Sequence, residues 1–159
     1  MSNAQKHSIL IIDDEPNNIA ELTDILEADY LVYAVLDSLE AIEMVAITSP
    51  DLILLDVIMP DKDGYDVIIE LKNSEETRDI PVIFITGLDS IDAEEKGLAL
   101  GAVDYILKPF HPAIVKIRVR NQMRLLERIR QQELLLEITK SLTGFISALF
   151  SRVLKKEES

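Results

Sequence analysis

Five short apolar runs, at residues 9–12, 31–36, 52–55, 82–85 and 103–107, alternate with segments whose apolar residues recur at helical spacing. This alternation constrains the fold more than any other feature of the chain. The runs are mostly β-branched residues or leucine, the pattern of strands covered on both faces. Between them, Ile19, Leu22, Ile25 and Leu26 mark a helix over 17–28, and Leu39, Ile42, Val45 and Ala46 one over 39–47. Val67, Ile68 and Leu71 mark another over 65–72, and Ile91, Leu98 and Ala99 a fourth over 91–100. Strands and helices in strict alternation require right-handed crossovers on a parallel sheet, so the expected fold is α/β with a doubly wound, five-stranded parallel sheet. Pro16, Asp63-Gly64, Pro81 and Gly101 fall at the expected element limits. From Pro112 to Gly144 little stops a helix, which predicts an extended C-terminal helix.

Each functional candidate sits where an apolar run ends: Asp13 and Asp14 after the first, Asp56 after the third, Thr86 after the fourth and Lys108 after the fifth. Ligand sites in open parallel sheets form outside the carboxyl ends of the strands, so these distant positions are expected to converge. Magnesium favours an octahedron of oxygen ligands, which Asp13, Asp14 and Asp56 suit. An aspartate is also a nucleophile toward phosphorus, forming an acyl phosphate when nearby cations neutralise the accumulating charge. A bound cation and Lys108 would do so, and Thr86 would offer its hydroxyl to a phosphoryl oxygen.

The net charge of −13 hides an asymmetry. Residues 1–110 carry 6 Lys/Arg against 24 Asp/Glu, or −18, while residues 111–159 carry 10 against 5, or +5. An acidic body repels nucleic acid, so no nucleic-acid partner is expected. The chain has no cysteine, no basic-then-apolar start of the signal-peptide kind, and no run of about 18 consecutive apolar residues for a membrane span. A cytoplasmic protein without membrane contact is the expectation, with residues 1–6, including Ser2-Asn3-Ala4, as a tag or disordered start.

The fragments IIDDEP, LLDVIMPDKDGYD, FITG and YILKPF, in this order at strand ends, resemble the receiver domains of two-component response regulators. The resemblance covers roughly residues 7–120. It implies a flavodoxin-like strand order 2-1-3-4-5, a receiver over 7–122, and a signalling or dimerisation helix over 123–159. It further implies that Asp56 is the phosphoacceptor, Asp14 a direct ligand of Mg2+, and Asp13 a ligand acting largely through water. The carbonyl of Ile58 would complete the metal set, Lys108 would contact the phosphoryl group, and Thr86 and Tyr105 would form the switch. The partner it implies is a sensor histidine kinase or phosphotransfer protein, and the chain would be no enzyme beyond its own phosphorylation and dephosphorylation. A cis bond at Lys108-Pro109 would turn the lysine inward. Ile58 and Leu88, apolar two positions after Asp56 and Thr86, suggest slow self-hydrolysis.

Competing motifs fail on their residues. Met59 to Glu70 mimics a calcium loop, but its first ligand position is Met59 and a strand precedes it. Haloacid-dehalogenase-type phosphatases need a second aspartate two positions after the nucleophile, where Asp13 has Glu15 and Asp14 has Pro16. No GxxxxGK[ST] loop is present, and His7 and His111 flank no metal-ligand cluster.

In the tail, Lys116, Arg120, Arg124 and Arg128 recur at i+4 steps, with Arg118 and Arg130 nearby, as a solvated face or one that docks on an acidic receiver surface. Leu135, Ile138, Leu142, Phe145 and Leu149 follow alternating steps of three and four, a coiled-coil-like seam that predicts a homodimer. Gly144 is expected to interrupt it. Receivers whose last helix runs on in this way resemble those that feed an enzymatic output, so the alternative reading is a regulatory fragment of a cyclic-dinucleotide synthase or phosphodiesterase.

Overall fold

A computed structural model describes residues 5–157. Five parallel strands, β1 (Ser8–Ile12), β2 (Leu31–Val35), β3 (Leu52–Asp56), β4 (Val82–Thr86) and β5 (Asp104–Leu107), form one sheet in the order β2-β1-β3-β4-β5. They alternate with α1 (Pro16–Leu26), α2 (Ala41–Thr48), α3 (Gly64–Lys72), α4 (Ile91–Ala99) and α5 (Pro112–Glu157). This is the flavodoxin-like arrangement, with a long last helix.

Burial explains the apolar runs. Ile9–Ile12, Leu52–Leu55 and Val82–Ile85 are wholly buried, because β1, β3 and β4 have strands on both sides and helices on both faces. The edge strand β2 departs from the expected two-sided cover: Leu31 is exposed and Val35 alone is buried. Lys6 donates from Nζ to the Ala28 carbonyl at 3.0 Å, so the folded body begins before residue 7; residues 1–4 of the expected tag lie outside the described residues.

Two helices depart, the second only in part, from the burial their spacing predicts. In the second, Ala41 and Val45 point inward while Ala46 is exposed, and Leu39 falls in a short 3-10 turn, Ser38–Glu40. In α4, Ile91, Leu98 and Ala99 are all exposed, and Gly97 is the one buried residue. A methyl group on Gly97 would stand 2.7 Å from the Tyr105 ring and 3.0 Å from that of Phe84. Close approach through a glycine therefore replaces an apolar stripe.

The first part of α5 packs on the body through Val115, Val119 and Met123, each one turn after the last. Fully burying such a side chain contributes about 1.5–3 kcal/mol. The chain divides into compact units after Met123, and every described residue of the second unit, up to Glu157, is in helix. Gly144 does not interrupt it, since a glycine in a helix interior costs only about 1 kcal/mol relative to alanine. An 18-residue stretch of α5 is apolar enough, by length and composition, to cross a membrane. The expectation of no span rested on consecutive apolar residues, whereas residues 134–151 intersperse theirs with serine, threonine and two charges, Glu137 and Lys140.

Candidate functional site

The parallel register places the candidates. Ile12, the last residue of β1, pairs with Leu55, so Asp13 emerges beside Asp56, the last residue of β3. Thr86 ends β4 and pairs with Leu107, bringing Lys108 to the same end of the sheet. The Lys108 amide donates to the Thr86 carbonyl at 2.9 Å, and the Lys108-Pro109 peptide is cis.

Asp13, Asp14 and Asp56 each present a carboxylate oxygen within 4.8 Å of the others. Asp13 is wholly buried and Asp56 nearly so. Lys108 bridges them, with Nζ 3.3 Å from Oδ2 of Asp13 and 3.3 Å from Oδ2 of Asp56. Burial, and then the charge of Asp13, raise the pKa of Asp56 to about 6 against the pull of Lys108. Burial works to lower the pKa of Lys108, but Asp56 and Asp13 outweigh it and raise it. The pocket thus holds more negative charge than its one ammonium offsets, an environment that favours a bound dication.

Asp13 is fixed from several sides. Its Oδ1 accepts from the Glu15 amide at 2.9 Å, and Asn18 donates from Nδ2 to its Oδ2 at 3.1 Å. The carboxylate of Asp14, partly exposed, accepts no hydrogen bond among the described residues. Asn18 was missed in the sequence. Its signal is a polar side chain in the first turn of α1, directed at the strand ends.

Thr86 is fully buried, and its Oγ1 accepts from the Leu88 amide at 3.0 Å. Tyr105 is nearly buried, and its hydroxyl donates to the Ala93 carbonyl at 3.0 Å. Thr86 faces the carboxylates' end of the sheet and Tyr105 lies on β5 against α4. Ile58 stands two residues past Asp56 with an exposed side chain.

The loop after β3 leaves no room for substitution at Gly64, where a methyl group would lie 2.2 Å from the Asp56 carbonyl oxygen. The Gly64 amide donates to the Val57 carbonyl at 2.8 Å, and Asp63 caps α3 through its Oδ1, which accepts from the Asp66 amide at 2.9 Å. Asp63 and Glu70 of the calcium-like stretch are therefore engaged elsewhere, Glu70 in an ion pair with Lys62.

Residues 9–120 match the family model of the response regulator receiver domain. The chain belongs to this family. It is 40% identical over 129 residues, 79% of its length, to the response regulator PleD of Caulobacter vibrioides, of which it covers 28%. It is 40% identical over 124 residues, 78% of its length, to a Vibrio cholerae protein named "Probable cyclic di-GMP phosphodiesterase", again covering 28%. The chain thus spans well under half the length of these two relatives. Among solved structures, the signal receiver domain of a signal transduction histidine kinase from Syntrophus aciditrophicus is 35% identical, with a TM-score of 0.70 over 77% of this chain and 93% of that one. The receiver is accordingly a signalling domain; receiver domains bind Mg2+ at an acidic pocket, and this chain carries the cluster Asp13, Asp14 and Asp56.

Proposed function

We propose that Asp56 accepts a phosphoryl group from the phosphohistidine of a sensor kinase or phosphotransfer protein. A carboxylate oxygen of Asp56 attacks phosphorus, the P–O bond forms as the P–N bond breaks, and the imidazole leaves. The observation that carries this reading is Asp56 at the end of β3, clustered with two further carboxylates and 3.3 Å from the Lys108 ammonium. Asp14, Asp56 and the Ile58 carbonyl, with Asp13 through water, would hold Mg2+, which would supply charge neutralisation at the phosphoryl oxygens. The donor set is all oxygen, as magnesium favours.

The chain's own residues then carry the signal. The Thr86 hydroxyl accepts a bond from Leu88 and keeps its proton free to donate to a phosphoryl oxygen. Lys108 leaves its bridge between carboxylates to contact the phosphoryl group, and Tyr105 follows the space Thr86 vacates. A shift of state requires such a difference in contacts, and these side chains provide it. We place this reaction in the cytoplasm, as for the family's soluble signalling domains.

The seam residues Leu135, Ile138, Leu142, Phe145 and Leu149 are all exposed, which supports a parallel homodimer through α5. The second reading is an N-terminal regulatory segment of a cyclic-dinucleotide enzyme, favoured by the small share of the Vibrio cholerae relative that the chain covers. The test of the phosphoacceptor is incubation with acetyl phosphate and magnesium. Wild type is labelled and Asp56→Asn is not; equal labelling of both would move the acceptor elsewhere.

A further inference from the structure

The hold of α4 on the sheet is small. Its inward residues are Ala93 and Gly97, one turn apart, while Ile91 and Leu98 face solvent. Two tyrosine hydroxyls compensate on the Ala93 carbonyl. Tyr105, from β5, donates at 3.0 Å, and Tyr65, from the first turn of α3, donates at 3.4 Å. A carbonyl oxygen has two lone pairs, so one lies open to the hydroxyls beside the bond within the helix.

The rings support this shared contact. Tyr65 meets Phe84 of β4 edge to face with centroids 5.6 Å apart, and Phe84 meets Tyr105 at 5.6 Å. The Lys96 ammonium of α4 stands 4.1 Å over the centre of the Tyr65 ring. Such contacts contribute about 0.5–1.5 kcal/mol each. Tyr65 therefore touches α4 at two places a turn apart. Burial first, and the Tyr65 hydroxyl second, hold the Tyr105 phenol protonated with a raised pKa.

Tyr65 is also adjacent to the site. It follows Gly64, whose amide is bonded to the Val57 carbonyl and where a methyl group would collide with the Asp56 carbonyl. A displacement of the loop after Asp56 moves the start of α3 and, with it, the Tyr65 ring. We propose that Tyr65 is a second positioning tyrosine, which couples the phosphosite loop to α4 through the Ala93 carbonyl, in parallel with Tyr105.

This role rests on Asp56 being the phosphoacceptor, and the test separates the two. Amide hydrogen exchange across α4 is measured with magnesium, with and without beryllofluoride, in wild type, Tyr65→Phe, Tyr105→Phe and the double variant. Acetyl phosphate labelling is followed in parallel. The Tyr65 bond, at 3.4 Å, lies at the weak end of the range, so Tyr65→Phe should speed exchange about twofold at Ala93–Ala99 while β1 and β3 stay unchanged. The change in α4 protection on adding beryllofluoride should fall by about half or more, with labelling of Asp56 intact. The double variant should exchange faster in α4 than either single, because both side-chain donors to the Ala93 carbonyl are then gone. Wild-type exchange in Tyr65→Phe, a uniform rise that includes β1 and β3, or a double variant equal to Tyr105→Phe would each overturn the role. If wild type neither labels nor responds to beryllofluoride, the phosphoacceptor reading and the coupling both fail, and exchange in the resting protein reads the α4 contact alone.

Discussion

Lys108 Nζ and Asp56 Oδ2 lie 3.3 Å apart at the carboxyl end of the sheet, and the same ammonium is 3.3 Å from Asp13. One cation thus serves two buried anions, with a third beside them. Removing it leaves those anions uncompensated. Hydrogen bonds to charged groups contribute about 1.5–3 kcal/mol, so Lys108→Ala should lower stability by about that amount in urea unfolding without metal. Lys108 is a cation and no metal ligand, so magnesium should still raise the melting temperature of this variant. The α4 response to beryllofluoride should be lost, since the phosphoryl contact is gone.

Asp56 gives the apo protein a pH dependence of definite sign. Its folded pKa of about 6 lies above the ordinary 3.8, so its contribution to stability is full below about pH 4 and is lost as pH rises through 6. The shift corresponds to a loss on the order of 3 kcal/mol by neutral pH. Asp56→Asn, neutral throughout, should be the more stable protein at pH 7 in EDTA, and the gap should close at pH 4. A wild type more stable than the variant at pH 7 without metal contradicts this account.

Magnesium should stabilise the folded chain by mass action, by about 2.7 kcal/mol at a hundredfold excess over its dissociation constant. For a domain of this size that is a rise of several degrees in melting temperature. Asp14→Ala should abolish the rise, because Asp14 has the one carboxylate of the three not already held by other groups. A rise that persists in Asp14→Ala would place the ion elsewhere. Calcium should show no separate effect through Asp61 and Asp63.

Gly64 was legible only as an element boundary, yet it is the tightest of the chain's glycines. Gly64→Ala sets a methyl group on the Asp56 carbonyl and must move the start of α3. Overpacking costs about 1–3 kcal/mol, so stability should fall by at least that in urea, and labelling by acetyl phosphate should slow. An alanine variant with wild-type stability and labelling would show that the loop relaxes freely.

The carboxylates, Thr86 and Lys108 were readable because parallel strands end abruptly, and four of the five apolar runs therefore point to a candidate residue. What spacing could not show arises where packing departs from periodicity. α4 docks by Gly97 and not by Ile91 and Leu98, so its apolar stripe misleads. The strand β2 lies at an edge, so an apolar run there stays half covered. Asn18 and Tyr65 act through single polar atoms brought near by the fold, and no period in the sequence marks such contacts.

The tail offers the last prediction. Beyond Met123 no residue of α5 up to Glu157 is buried, and large apolar side chains from Leu134 to Leu154 face solvent. Isolated helices are marginal in water without packing, so this segment should self-associate. Truncation after Arg124 keeps Val115, Val119 and Met123, which pack on the body, and every site residue. The shortened chain should remain folded and be labelled at Asp56, and should sediment as a monomer where the full chain is a dimer. Leu142→Lys together with Leu149→Lys should dissociate the full chain in the same way, since two charges would enter the seam. A full chain that stays monomeric at high concentration, with and without beryllofluoride, excludes the dimer. Flotation of the full chain, but not of the truncated one, with neutral phospholipid vesicles would instead assign the apolar stretch to a bilayer.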